Sequence, residues 1–289
     1  MTGHRGAFTL LTLAVLVCAP AAARPPHRAV STFLCTDEYV LRLLPRAHIA
    51  ALSFEAGDRH PVVSTIADKV AGIAGIRPTT ETVLNLHPDL VVMYQGTMPR
   101  LHENLTALGV PVLDVPWANS IADIRKTTRW LGEKLGTQKR AAAMLDAMDV
   151  KLDAARRLAR QPPVRTLLYE PNGFASIGGV TDELMALAGL ANASPQMHPT
   201  RAGTVPVETV IAASPELLIF SGEQGAPASQ AELMQHHPAF AALAGRTLSV
   251  RASLIPLACP GPWSADAALT FAELAARAAR ALAKAHSRN

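Results

Sequence analysis

Cys35 and Cys259, six histidines and a thin set of aromatics are the residues here with chemistry to offer. Cys35 opens a helical pattern, where a helix dipole lowers a thiol pKa, and a lone activated cysteine would suit a secreted thiol-dependent hydrolase. No second residue supports that reading. The chain has no Gly-x-Ser-x-Gly elbow, no His-Glu-x-x-His and no phosphate-cradling glycine loop, and no histidine pairs with Cys35 in sequence. Direct metal binding would need three or four converging N/O ligands. His60, His87, His102, His198, His236 and His237 are scattered, and only His60 and His198 fall near segments expected to reach a ligand. The aromatics are seven Phe, three Trp and three Tyr. Ring faces of that kind hold a flat or bulky ligand.

These residues are positioned by short β-type runs that alternate with helical patterns. Runs at 28–33, 49–54, 90–94 and 111–115 are separated by helix patterns at 37–44, 82–86, 99–108 and 120–135, with Ser120 as an N-cap. Alternation of this kind means βαβ units and a largely parallel sheet. From Thr137 to Arg160 there is no Gly or Pro, and Leu145, Met148, Leu152, Ala155 and Leu158 recur every three or four residues. This predicts one long helix, stopped by Pro162-Pro163. Beyond it strands at 164–169, 217–220, 247–250 and 254–257 alternate with helices at 182–187, 208–213, 230–243 and 265–283. The expected fold class is therefore α/β, with two lobes, each a mostly parallel sheet flanked by helices, joined by one long interlobe α-helix. The divisions fall at 1–23, 24–136, 137–160 and 161–289.

Residues 1–23 read as a signal peptide: His4 and Arg5, an apolar run from Ala7 to Val17, then Ala21-x-Ala23 for cleavage after Ala23. Cys18 follows Val17, larger than a lipobox normally carries, which argues against lipidation. The mature chain is expected in the periplasm. Its two remaining cysteines are an even number for an oxidising compartment. With 27 Lys and Arg against 23 Asp and Glu, the net charge is +4, and no basic stripe is interleaved with aromatics, so nucleic acid is an unlikely partner class on composition.

Glu81-Thr82-Val83 followed by Pro88-Asp89-Leu90-Val91-Val92 reads like Glu208-Thr209-Val210 followed by Pro215-Glu216-Leu217-Leu218-Ile219, 127 positions later. This doubled segment, the helix at 137–160 and the opening Val30-Ser31-Thr32-Phe33-Leu34-Cys35-Thr36-Asp37-Glu38 resemble the periplasmic substrate-binding proteins of ABC importers with a rigid helical backbone. That group serves iron-siderophores, vitamin B12, haem and transition metals. The resemblance spans the mature chain and specifies the superfamily far better than the ligand. It implies a monomeric receptor, not an enzyme, with no resident cofactor. The implied guest is an iron-siderophore or cobalamin-type chelate, with haem or a free transition metal as the alternative. The implied partner is an ABC permease dimer, with Glu81 and Glu208 docking on it; each also suits a helix N-terminus. An adhesin that inherited the fold without a ligand is a third possibility.

Ligands of open α/β sheets bind beyond the carboxyl ends of the strands. Read that way, the first lobe offers Thr32, Cys35, Asp37, Phe54, His60, Tyr94, Gln95 and Trp117. The second offers Glu170, Asn172, Phe174, His198, Ser221, Cys259 and Trp263. Phe33 and Phe220 read as core. Cys35 and Cys259 each follow a predicted strand, and three readings stay open for them: a disulfide, free thiols against the ligand, or buried side chains.

Overall fold

The computed structural model describes residues 24–59, 63–159, 161–201, 203–222 and 230–286. Its two sheets are wholly parallel among these residues. The first contains β1 (Ala29–Ser31), β2 (Ile49–Ser53), β3 (Ala74–Ile76), β4 (Leu90–Tyr94) and β5 (Val112–Val115), in the order β3-β2-β1-β4-β5. The second contains β6 (Val164–Tyr169), β7 (Leu190–Asn192), β8 (Leu217–Ser221) and β9 (Leu248–Ala252), in the order β7-β6-β8-β9. Central strands such as β1 and β8 are nearly continuous apolar runs and are buried, as parallel strands covered on both faces must be.

The helices are α1 (Leu34–Leu43), α2 (Thr80–Leu84), α3 (Pro99–Ala107), α4 (Ile121–Lys134), α5 (Gln138–Leu158), α6 (Gly179–Leu187), α7 (Val207–Ala213), α8 (Ile255–Ala258) and α9 (Ala265–His286). Helix α5 stands between the sheets in chain order and, at 21 residues, is about 32 Å long. It buries Ala141, Leu145, Met148, Leu152 and Ala155, while Leu158, predicted on the same stripe, is left exposed. Helices α4 and α9 pack along it. At the α4 contact Gly132 is required, since a Cβ there would lie 2.6 Å from the Ala141 Cβ. Ser120 caps α4, its Oγ accepting from the Asp123 N–H at 3.0 Å.

Several expectations are corrected. The segment 230–243 is two 3-10 turns, Gln230–His236 and Pro238–Leu243, because Pro238 cannot continue a helix. The segment 254–257 forms the turn of helix α8 rather than a strand, with Pro256 in its first turn where a missing N–H costs nothing. The edge strands β3 and β7 were not foreseen, being only three residues each. Nor is α5 the only link between the halves. The chain after α8 reaches back, and Cys259 and Trp263 are buried with Tyr39, Leu43 and Leu131 in the core of the first sheet.

The doubled segment forms the same latch twice. Before each buried strand the chain turns through a left-handed residue, His87 (φ 45°) and Ser214 (φ 43°). Asp89 accepts the N–H groups of His27 (2.6 Å) and Arg28 (2.9 Å), and the Arg28 guanidinium donates to the Leu86 carbonyl. In the second half Glu216 accepts the Arg165 N–H at 2.7 Å, and Arg165 donates to the carbonyls of Ala213 and Ser214. In both halves an acid and an arginine lock the amino end of the first strand to the helix-strand junction beside it.

Candidate functional site

At the carboxyl ends of the first sheet the chain sets out a row of rings. Phe33 leaves β1 with an extended backbone as the residue before α1. It is tilted against Tyr94 at the end of β4, centroids 5.7 Å apart, and edge-on to Trp117 beyond β5 at 6.3 Å. Tyr94 and Trp117 meet edge-on at 4.1 Å, a geometry that the ring quadrupoles favour. The Trp117 indole N–H donates to the exposed Gln95 carbonyl at 2.9 Å, which fixes the ring while leaving it 48% exposed. Beneath it Tyr94 is buried, and burial pushes its phenol up to about 12. Among the described residues the buried Tyr94 and Thr32 hydroxyls have no hydrogen-bond partner, a costly condition in a finished core. Phe54, at the end of β2, is partly exposed, with the Arg77 guanidinium 3.8 Å from its ring centroid.

The second sheet presents a more polar edge. Glu170 follows β6, its carboxyl raised above its ordinary range by burial and 3.4 Å from the Ser176 hydroxyl. Asn172 (φ 58°) and Phe174 follow, Phe174 exposed and bridged to Thr204. His198 (φ 47°) is exposed, and Ser221 is half-buried with its carbonyl accepting from Gln235 at 3.2 Å. Met98, in the loop after β4, shares the left-handed conformation (φ 48°). The two edges meet where the Ile121 N–H, beyond β5, donates to the Glu183 carboxylate on α6 at 2.7 Å.

Other expected site residues lie elsewhere. Cys35 and Cys259 are joined in a disulfide and both are buried, so neither is a free thiol for a ligand or for hydrolase chemistry. Trp263 packs edge-on to Tyr39 (4.9 Å) and under Arg42 (4.6 Å), with its N–H on the Cys259 carbonyl, inside the first lobe's core. Its placement at the ligand edge rested on a strand at 254–257, and that segment is helical. Asp37 is wholly buried, accepting from the Ser53 N–H and hydroxyl. Burial pushes it up to about 7, against hydrogen bonds from Ser31 and Ser53 that lower it. His60 lies outside the described residues. Phe33 and Arg77 were missed. The first reads as strand core until its place directly before α1 is seen, and the second needed Ala74–Ile76 to be recognised as a strand. Glu81 and Glu208 stand exposed in the first turns of α2 and α7. Among the described residues no cluster of three or more His, Cys, Asp or Glu is placed to hold a metal, and no helix is long and apolar enough to cross a membrane.

Solved structures share this fold. The periplasmic heme-binding protein RhuT from Roseiflexus sp. RS-1 is 20% identical with a TM-score of 0.67, over 88% of this chain and 99% of its own. The periplasmic vitamin B12 binding protein BtuF of Vibrio cholerae is 18% identical with a TM-score of 0.62, over 89% and 99%. The periplasmic heme-binding protein HutB of Vibrio cholerae is 18% identical with a TM-score of 0.66, over 86% and 98%. No curated protein matches by sequence. These similar structures are of periplasmic binding proteins. The family model described as periplasmic binding protein matches residues 49–246, more than half of the sequence, and the chain belongs to that family.

Proposed function

We propose that this chain is the solute receptor of an ABC importer, holding a chelate of the siderophore, corrinoid or haem kind between its two sheet edges and delivering it to a membrane permease. The observation that carries the reading is the cluster of Phe33 and exposed Trp117 against Tyr94, whose buried hydroxyl, like that of Thr32, has no partner among the described residues, at the strand ends where α/β folds take ligands. Residues 1–23 act as the export signal, and the lobes divide on either side of the helix at 137–160. Glu81 and Glu208, one on each half, supply matched charges to a two-subunit permease.

A tryptophan-fluorescence titration with a ferric siderophore, cyanocobalamin and hemin tests this. Saturable quenching by one of them, lost in Trp117→Phe, is the expected result. A flat response to every class, with the protein folded, would overturn it. Replacing Glu81 and Glu208 together with Gln should abolish stimulation of the reconstituted transporter while ligand affinity stays unchanged.

A further inference from the structure

The edge of the first sheet is graded along its length. In strand order β3-β2-β1-β4-β5 the residues at or just beyond the carboxyl ends are Arg77, Phe54, Phe33, Tyr94 and Trp117. Four inter-strand steps of about 4.8 Å make this row about 19 Å wide, with the Arg77 guanidinium at one end and rings along the rest. Arg77 lies on Phe54 at 3.8 Å from the centroid, and its carbonyl is held by the Thr82 hydroxyl at 3.1 Å, at the start of α2. Among the described residues no carboxylate pairs with its guanidinium, although Glu55 adjoins Phe54 in sequence. A guanidinium stacked on a ring is fixed in orientation, and the N–H groups on its edge stay free for bidentate contact with a carboxylate. In the second sheet Arg251, within β9, is by contrast committed to Gln235 (2.8 Å) and Glu232 (3.5 Å).

Resting on the receptor reading, we propose that the guest is a planar macrocyclic chelate with carboxylates on its rim, Arg77 taking one carboxylate while Phe33 and Trp117 cover the plane. A macrocycle rimmed by amides offers this fork no charge. The probes are hemin, with two propionates, its dimethyl ester, and cyanocobalamin, titrated by absorbance and tryptophan quenching under one solvent condition. Hemin should bind about 10-fold tighter than the ester, as a charge-assisted, bidentate hydrogen-bonded pair implies. Arg77→Gln should remove most of that advantage while leaving the ester within about 2-fold, and Arg77→Lys should restore part of it. The ester also controls for nonspecific adhesion of the porphyrin, and an unchanged melting curve shows that each variant is folded. Equal binding of hemin and ester, or an equal loss of both in Arg77→Gln, would overturn the role of Arg77. Binding of cyanocobalamin in preference to hemin would overturn the ligand class and leave the receptor reading standing. No binding of any probe or of a ferric siderophore would overturn both.

Discussion

The two sheets agree at their amino ends and differ at their carboxyl ends. At the amino ends Asp89 with Arg28 and Glu216 with Arg165 build one latch twice, down to the left-handed residue before the proline. At the carboxyl ends the first sheet shows rings and Arg77, whereas the second shows Glu170, Asn172, His198 and Ser221 around Phe174. A duplicated scaffold keeps what holds strand to helix and is free to vary what faces a guest. The asymmetry is itself useful, since one face can supply a platform while the other supplies polar contacts that fix orientation.

The largest test removes the bond that ties the second half's return segment to the first half. Cys35→Ser with Cys259→Ser opens a loop spanning a separation of 224 residues, and chain entropy puts the loss at about 5 kcal/mol. Denaturant midpoints should fall strongly, and the environment of Trp263 should change more than that of Trp117. Next, Asp37 gives the first half a pH dependence. Its folded pKa of about 7 stands above its ordinary value of 3.8, so the folded state holds the proton more tightly. Its contribution to stability is full below pH 3.8 and is lost as pH rises through about 7, amounting to a few kcal/mol. Asp37→Asn should flatten urea midpoints between pH 5 and pH 8, and an unaltered slope would remove Asp37 as its source.

The latches should then respond in parallel. Asp89→Ala and Glu216→Ala each remove hydrogen bonds to exposed backbone N–H groups that water can then take, and should cost about 0.5–1.5 kcal/mol, with Asp89 the larger because it serves two donors. A neutral result at one site alone would mean that the duplication is geometric without being energetic. Smallest is Trp117→Ala. The ring is 48% exposed, so thermal stability should move by less than about 1 kcal/mol while ligand quenching is lost.

Much of this was legible in the chain because it is written locally. Strand β6 falls where its Val-Arg-Thr-Leu-Leu-Tyr run lies, α4 begins at Ser120, and α5 follows its three-and-four spacing. The three-residue strands β3 and β7 were not legible, because so short a run takes its pairing from its neighbours rather than from its own pattern. The proline-bearing segments near 238 and 256 look like continuous elements in hydropathy yet break into turns. Trp117, Phe54 and Phe174 lie exposed beyond strands β5, β2 and β6, the placement that reading off strand ends implies. Asp37 does not follow that reading, since it is buried at the start of α1, and Trp263 does not, since the strand expected before it is helix α8 and its ring lies in the first sheet's core.

The sequence by itself determined the α/β class, the duplication and the rod, because periodicity, capping residues and repeated motifs act over a few neighbouring residues. Tertiary structure decided that Cys35 meets Cys259, that Trp263 belongs to the first half's core, and that Arg77 lies on Phe54. Those pairings join residues from 23 to 224 positions apart, and no local rule reaches that far: they exist only once loop closure has been offset by the burial of the sheets around them.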